Sequence, residues 1–171
     1  QIPVVLDQAY YEYLDTIGQA IDWLNVFDNL IITRTFSKAY GLAGLRVGYS
    51  VSKPNIADYI NRVRAPFNVN HSAQIAAIAA LNDVDYLQKS VRSNKEGLKQ
   101  LEKSFKSLNL SYIKSSANFI AVEFENALET YEKLLKEGVI VRPIEIPNFL
   151  RITVGTAEEN IYLIKALKKI L

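Results

Sequence analysis

The sequence contains no cysteine and no methionine in 171 residues, and a single histidine. The missing cysteine excludes a disulfide scaffold and makes the cytoplasm the default compartment. His71, in N-V-N-H-S-A-Q with no second histidine beside it, reads as a polar helix-start residue, and no metal is assigned to it. A strong charge of either sign is also missing: the net charge is +2, with Lys and Arg scattered among Asp and Glu. A nucleic-acid binder would concentrate its basic residues on one face, so nucleic acid is not an expected partner. No apolar run reaches the length of a membrane span, and the opening Q-I-P-V-V-L-D lacks a signal peptide's basic flank and cleavage pattern, so no membrane partner is expected. That opening reads instead as an interior strand, which predicts a piece of a longer protein.

What is present is enough apolar residue, 49%, to fill one sizeable domain or two small ones. Residues 3–7, P-V-V-L-D, form a short apolar run ending in a carboxylate. This pattern predicts a strand buried on both faces, with Asp7 at the carboxyl end where open α/β sheets place ligand groups. Residues 29–35 and 47–51 predict two further strands, and one short helix is expected at 18–24. Helical spacing predicts helices over 54–64, 72–81 and 86–108: the second apolar on nearly every face and therefore buried, the third long and half-exposed. After Asn109 short strands (111–113, 119–124, 139–141, 150–154) alternate with helices at 127–137 and 157–171, which reads as a small α+β lobe. Gly138 is a natural helix stop, and Thr156 before Glu158 and Glu159 reads as an N-cap.

The chain is organised around residues 33–49, T-R-T-F-S-K-A-Y-G-L-A-G-L-R-V-G-Y. Ser37 and Lys38 follow one apolar run, a small-residue turn follows them, and Arg46 precedes a second apolar run. This layout suits an anion held beside a reactive amine, with Gly41, Ala43 and Gly44 allowing close backbone approach. It is neither G-x-G-x-x-G nor a Walker sequence, so nucleotide binding is not implied. Arg151, inside the apolar run L-R-I-T-V, reads as a guanidinium on a buried strand that needs an anionic partner. Each of these residues also has a plain structural reading. On that reading Lys38 would be a surface lysine and Asp7 a turn cap, and likewise Tyr10 in D-Q-A-Y a core or rim tyrosine and Arg142 in V-I-V-R-P a strand-end cation in solvent.

D-Q-A-Y at 7–10, S-K-A-Y-G-L-A-G-L-R at 37–46 and L-R-I-T-V-G-T-A-E-E-N at 150–160, in that order, resemble the pyridoxal-phosphate site of the fold-type I aminotransferases. Within them the closer likeness is to the histidinol-phosphate aminotransferase group. The resemblance covers essentially the whole chain and implies its C-terminal portion. The implied fold is α/β: the last part of the large cofactor domain (1–80), with a mixed, mostly parallel sheet, then a small α+β C-terminal domain (81–171) that includes a long bridging helix. It implies pyridoxal 5'-phosphate bound covalently as an aldimine on Lys38, with Lys38 also shuttling the proton. Asp7 would face the pyridine nitrogen and Tyr10 the ring's phenolic oxygen. Ser37 and Arg46, helped by Thr35, would hold the phosphate. Arg151 would take the substrate carboxylate, Arg142 a distal anion, with Asn118 and Phe119 near the pocket. The implied reaction converts histidinol phosphate and 2-oxoglutarate to imidazole-acetol phosphate and glutamate, in histidine biosynthesis, by a cytoplasmic homodimer. Alternatives are a threonine-phosphate decarboxylase, or a cofactor-binding regulatory module with a fused DNA-binding segment. These 171 residues in isolation are expected to bind cofactor weakly or not at all.

Overall fold

The computed structural model describes residues 2–15 and 19–171. The chain falls into two compact units, Gln1–Ser90 and Val91–Leu171. Their border lies inside a helix, ten residues beyond the 80/81 division read from the sequence.

In the first unit, β1 (Val4–Asp7) pairs in parallel with β2 (Leu30–Thr35), and β2 pairs antiparallel with β3 (Gly48–Ser52). The sheet is therefore mixed, in the order β1-β2-β3. Of the helix expected at 18–24, Gly18 lies outside the described residues; the remainder forms α1 (Gln19–Asp22) and a 3-10 turn at Trp23–Asn25. α2 (Pro54–Val63) starts with proline at its first position, where the missing N–H costs nothing. α3 (His71–Asn82) is capped by Asn70, whose side chain accepts from the Ala73 N–H at 2.8 Å.

Two burial expectations fail in this unit. β1 is an edge strand, and its Val4 and Val5 side chains are 52% and 61% exposed instead of buried on both faces. α3 buries only Ala73 and Ala77, against Phe36 and Val47, while Ile75 and Ile78 are 55% and 62% exposed. In both places the apolar composition is real, but among the described residues only one side has something to pack against.

α4 (Val84–Ser107) carries the chain into the second unit. There Asn94, Gly97, Leu98, Leu101 and Phe105 recur at three- and four-residue spacing and form one buried stripe. The stripe packs on a four-stranded antiparallel sheet, order β4-β5-β7-β6, made of Tyr112–Ile113, Phe119–Glu123, Phe149–Thr153 and Arg142–Pro143 respectively. α5 (Ala127–Lys136) and α6 (Ala157–Ile170) contribute Leu134, Leu163 and Leu167 to the same core as Ile120, Val122, Leu150 and Ile152. Thr156 caps α6 in a full capping box with Glu159.

The strand expected at 139–141 is displaced to Arg142–Pro143. Gly138, at φ +76°, turns the chain after α5, and the Val139 N–H returns to the Leu134 carbonyl at 2.9 Å. Val139 and Val141 are buried as that reading required, yet their backbone is outside the ladder. Apolar burial alone does not make a strand.

Candidate active site

Parallel pairing of β1 and β2 brings Asp7 opposite Thr33, so Asp7 and the loop after Thr35 leave the sheet from the same, carboxyl, end. Asp7 Oδ1 accepts from the Ala9 N–H at 3.0 Å and the Thr33 hydroxyl at 3.3 Å. The residue thus caps the following turn and fixes its own carboxylate at the strand end. That turn continues into a 3-10 turn at Tyr11–Tyr13, and the Tyr10 ring comes to lie 5.6 Å from Lys38 Nζ.

The lysine loop is shaped by its own hydroxyl and backbone groups. The Ser37 N–H donates to Thr35 Oγ1 at 3.1 Å, the Gly41 N–H to the Lys38 carbonyl at 2.9 Å, and the Leu42 N–H to the Phe36 carbonyl at 2.9 Å. Thr35 therefore builds the loop. A 3-10 turn at Ala43–Leu45 leads to Arg46 in the left-handed region at φ +53°. From there Arg46 Nη1 reaches Ser37 Oγ at 3.3 Å and the Ala43 carbonyl at 2.9 Å. Two of the residues read as phosphate ligands thus meet at the surface, next to Lys38. Among the glycines, Gly44 has open space around it. The close approaches are at Gly41, where an added Cβ would stand 2.6 Å from Tyr86 Oη, and at Gly48, where it would stand 2.7 Å from the Arg34 carbonyl.

Three members of this region escaped the sequence reading. Arg34 donates from Nε and Nη2 to Gln8 Oε1 at 3.1 and 3.0 Å and lies 3.6 Å over the Tyr11 ring, tying β2 to the turn that carries Tyr10. Its signal was a cation inside the apolar strand L-I-I-T-R-T, the argument already applied to Arg151. Glu12 has a buried Oε2 with no hydrogen-bond partner. Burial pushes its carboxyl above 4.5, opposed by a backbone hydrogen bond and by the Arg34 charge. Burial likewise raises the Tyr13 and Tyr40 phenols above 10.0. The third is Tyr86, whose hydroxyl fills the space beside Gly41.

In the second unit Arg142 and Arg151 are register partners on adjacent strands, so their side chains share one face of the sheet. That face is the one opposite the core: Leu150 and Ile152 are buried on one side of β7, while Phe149, Arg151 and Thr153 alternate onto the other. The premise that Arg151 stands on a buried strand is therefore corrected. Its strand is half-buried, and its guanidinium stacks 3.9 Å over the Phe119 ring. Asn118, next to Phe119, has a buried Oδ1 without a hydrogen-bond partner. His71 opens α3 at the surface, and among the described residues no group of three or more His, Cys, Asp or Glu side chains is arranged to hold a metal.

The profile of the family "Aminotransferase class I and II" matches residues 1–167. The chain belongs to that family. A histidinol-phosphate aminotransferase of Methylobacillus flagellatus is 49% identical over 176 residues, an alignment that takes in all of this chain and 48% of the relative. Histidinol-phosphate aminotransferase 2 of Pseudomonas fluorescens is 52% identical, over 98% of this chain and 47% of its own length. The chain thus spans about half the length of the curated aminotransferases it matches. A crystal structure of the Sinorhizobium meliloti histidinol-phosphate aminotransferase in complex with pyridoxal-5'-phosphate superposes with a TM-score of 0.85 at 30% identity, over 98% of this chain and 48% of that one. The donor set of this aminotransferase chain fits such a cofactor. The Arg46 guanidinium and the Ser37 hydroxyl, both phosphate-binding groups, meet at 3.3 Å, the Asp7 carboxylate stands at the same end of the sheet, and Lys38 Nζ lies 5.6 Å from the Tyr10 ring.

Proposed function

We propose that the chain is the lysine-bearing part of a pyridoxal-phosphate-dependent histidinol-phosphate aminotransferase. The observation that carries the reading is the meeting of Ser37, Arg46, Lys38, Tyr10 and Asp7 at the carboxyl end of one sheet. Pyridoxal phosphate, when bound, supplies a conjugated ring that accepts electrons from the substrate's α-carbon as its proton leaves.

The chain's residues divide the remaining work. Arg46 and Ser37 bind the phosphate with a charge-assisted and a neutral hydrogen bond, which orients the ring. The Asp7 carboxylate, held by Ala9 and Thr33, keeps a proton on the ring nitrogen. The Tyr10 hydroxyl bonds the ring's phenolic oxygen. Lys38 Nζ would hold the cofactor covalently and, as a free amine, would carry the proton between the substrate α-carbon and the cofactor carbon on the far side of the shared nitrogen. A single amine thus serves as nucleophile and base. Arg142 and Arg151, side by side on the open face of the second sheet, offer two cations to the anions of the alternating substrates, a phosphate ester and a dicarboxylate. The intact enzyme on this reading is a cytoplasmic homodimer converting histidinol phosphate and 2-oxoglutarate to imidazole-acetol phosphate and glutamate.

The test is transamination of histidinol phosphate by the intact enzyme and its Lys38→Ala variant. The variant is expected to lose activity by a factor of at least about 10³, because base and attachment point vanish together. Unchanged turnover by the variant, or a wild-type enzyme inert toward histidinol phosphate, would sink the reading.

A further inference from the structure

Along β2 Arg34 alternates with Leu30 and Ile32, which are 5% and 0% exposed, so it stands on the face of the strand that they bury. A guanidinium in that place is costly unless polar and aromatic groups receive it. Gln8 and Tyr11 do so, and both belong to one turn. The Tyr11 N–H donates to the Gln8 carbonyl at 3.1 Å, closing a four-residue turn in which Tyr10 stands third. Arg34 grips that turn at both ends. Its Nε and Nη2 donate to Gln8 Oε1 at 3.1 and 3.0 Å, while its Cζ lies 3.6 Å from the centre of the Tyr11 ring. Four residues further along the chain comes Lys38, whose Nζ is 5.6 Å from the centre of the Tyr10 ring. One stretch of chain thus carries both the grip and the amine.

We infer that Arg34 is a positioning residue: by holding Gln8 and Tyr11 it sets where the Tyr10 hydroxyl stands relative to Lys38 Nζ, and so how well Tyr10 serves the cofactor's phenolic oxygen. The role rests on the function proposed above. The geometry selects positioning over a bare charge effect, because the guanidinium uses two donors on one oxygen and a flat face on one ring. Only arginine offers that combination, whereas lysine would keep the charge and lose the shape. On the lysine side the loop has its own braces, from the Gly41 N–H to the Lys38 carbonyl and from the Leu42 N–H to the Phe36 carbonyl, both at 2.9 Å. Losing the grip therefore displaces Tyr10 and leaves the lysine loop in place.

The experiment compares the intact enzyme with its Arg34→Lys variant, first free of cofactor and then loaded with pyridoxal phosphate. Without cofactor, the Tyr11 and Tyr13 amides, bonded to the Gln8 and Tyr10 carbonyls, are expected to exchange hydrogen at least about 10-fold faster in the variant. The Gly41 and Leu42 amides should keep their rates. With cofactor, the readout is the pH midpoint of the visible absorbance change. A phenol donating to the cofactor's negatively charged oxygen favours loss of the neighbouring proton, so a displaced Tyr10 should raise that midpoint by at least about 0.5 pH unit. In a Tyr10→Phe background Arg34→Lys should add nothing. Gln8→Ala cuts the same grip from the other side and should raise the midpoint likewise. Unchanged amide rates, an equal rise with and without the Tyr10 hydroxyl, or a midpoint unmoved by Gln8→Ala would overturn the inference alone. A wild-type enzyme without a Lys38-dependent visible band would overturn the proposed function along with it.

Discussion

Gly41 couples the lysine loop to α4, and the coupling has a size that can be worked out. An alanine there must keep φ at +72°, which costs a residue with a Cβ roughly 1–2 kcal/mol. Its methyl group would also stand 2.6 Å from Tyr86 Oη, a distance that requires the tyrosine or the loop to shift. Overpacking of this kind adds about 1–3 kcal/mol, so Gly41→Ala is expected to destabilise by about 2–5 kcal/mol in all. Removing the hydroxyl separates the two contributions. With Tyr86→Phe, the nearest ring atom is Cζ at 3.6 Å, an ordinary contact, and only the backbone cost remains. Urea denaturation of the wild type, both single variants and the double variant therefore forms a cycle with an expected coupling of about 1 kcal/mol or more. Because the Gly41 N–H is bonded to the Lys38 carbonyl at 2.9 Å, cofactor affinity should fall in Gly41→Ala and partly recover in the double variant. Equal destabilisation by Gly41→Ala in both backgrounds would refute the packing argument.

Three further outcomes follow from side chains already described. Glu12 is raised above 4.5 in the fold by burial, so the unfolded chain gives up its proton first as pH rises and stability is lost through the folded-state value. Glu12→Gln should therefore show its smallest advantage over the wild type below pH 4.5 and gain on it as pH rises from there through the folded-state value, levelling off above it, as read by denaturant titration; a pH-independent difference would remove the argument. Arg46→Ala removes a charged donor from the phosphate position, and spectroscopic titration of the intact enzyme should show cofactor affinity reduced by about ten- to a hundredfold, in line with about 1.5–3 kcal/mol for a charged hydrogen bond. An unchanged affinity would place the phosphate elsewhere. Asn160 is buried, accepts from the Gly155 N–H at 3.0 Å and donates to Gln100 Oε1 and the Gly155 carbonyl at 3.1 and 3.3 Å. Asn160→Ala leaves the Gly155 N–H unpaired and should cost about 2–3 kcal/mol, measured as a shift in urea midpoint; a loss within error would show that water replaces the amide.

Much of the fold was legible because several signals agreed at the same place. The strand pairs around the lysine loop, the long half-exposed helix and the Thr156 cap each combined periodicity with a start or stop residue. Where one signal stood alone it misled. Apolar composition placed α3 and β1 in a core, but burial is decided by neighbours, and Val4, Ile75 and Ile78 have none on one side among the described residues. At 139–141 the buried valines pointed to a strand, whereas ladder pairing depends on the direction set by Gly138. The candidate site was legible where a short motif fixed local geometry, as at Ser37 and Arg46. It was not legible where residues distant in sequence converge: Tyr86 on Gly41 and Arg34 on Tyr11 are tertiary contacts that no spacing encodes. Arg151 shows both sides. Its cation was conspicuous, but which face of the strand it occupies follows from register with Leu150 and Ile152.

The most direct test of the account is to locate the cofactor's point of attachment. Intact enzyme loaded with pyridoxal phosphate would be reduced with borohydride, digested and mapped by mass spectrometry. The phosphopyridoxyl group is expected on Lys38 and on no other lysine. Its appearance on a different lysine, with Lys38 unmodified, would contradict the account.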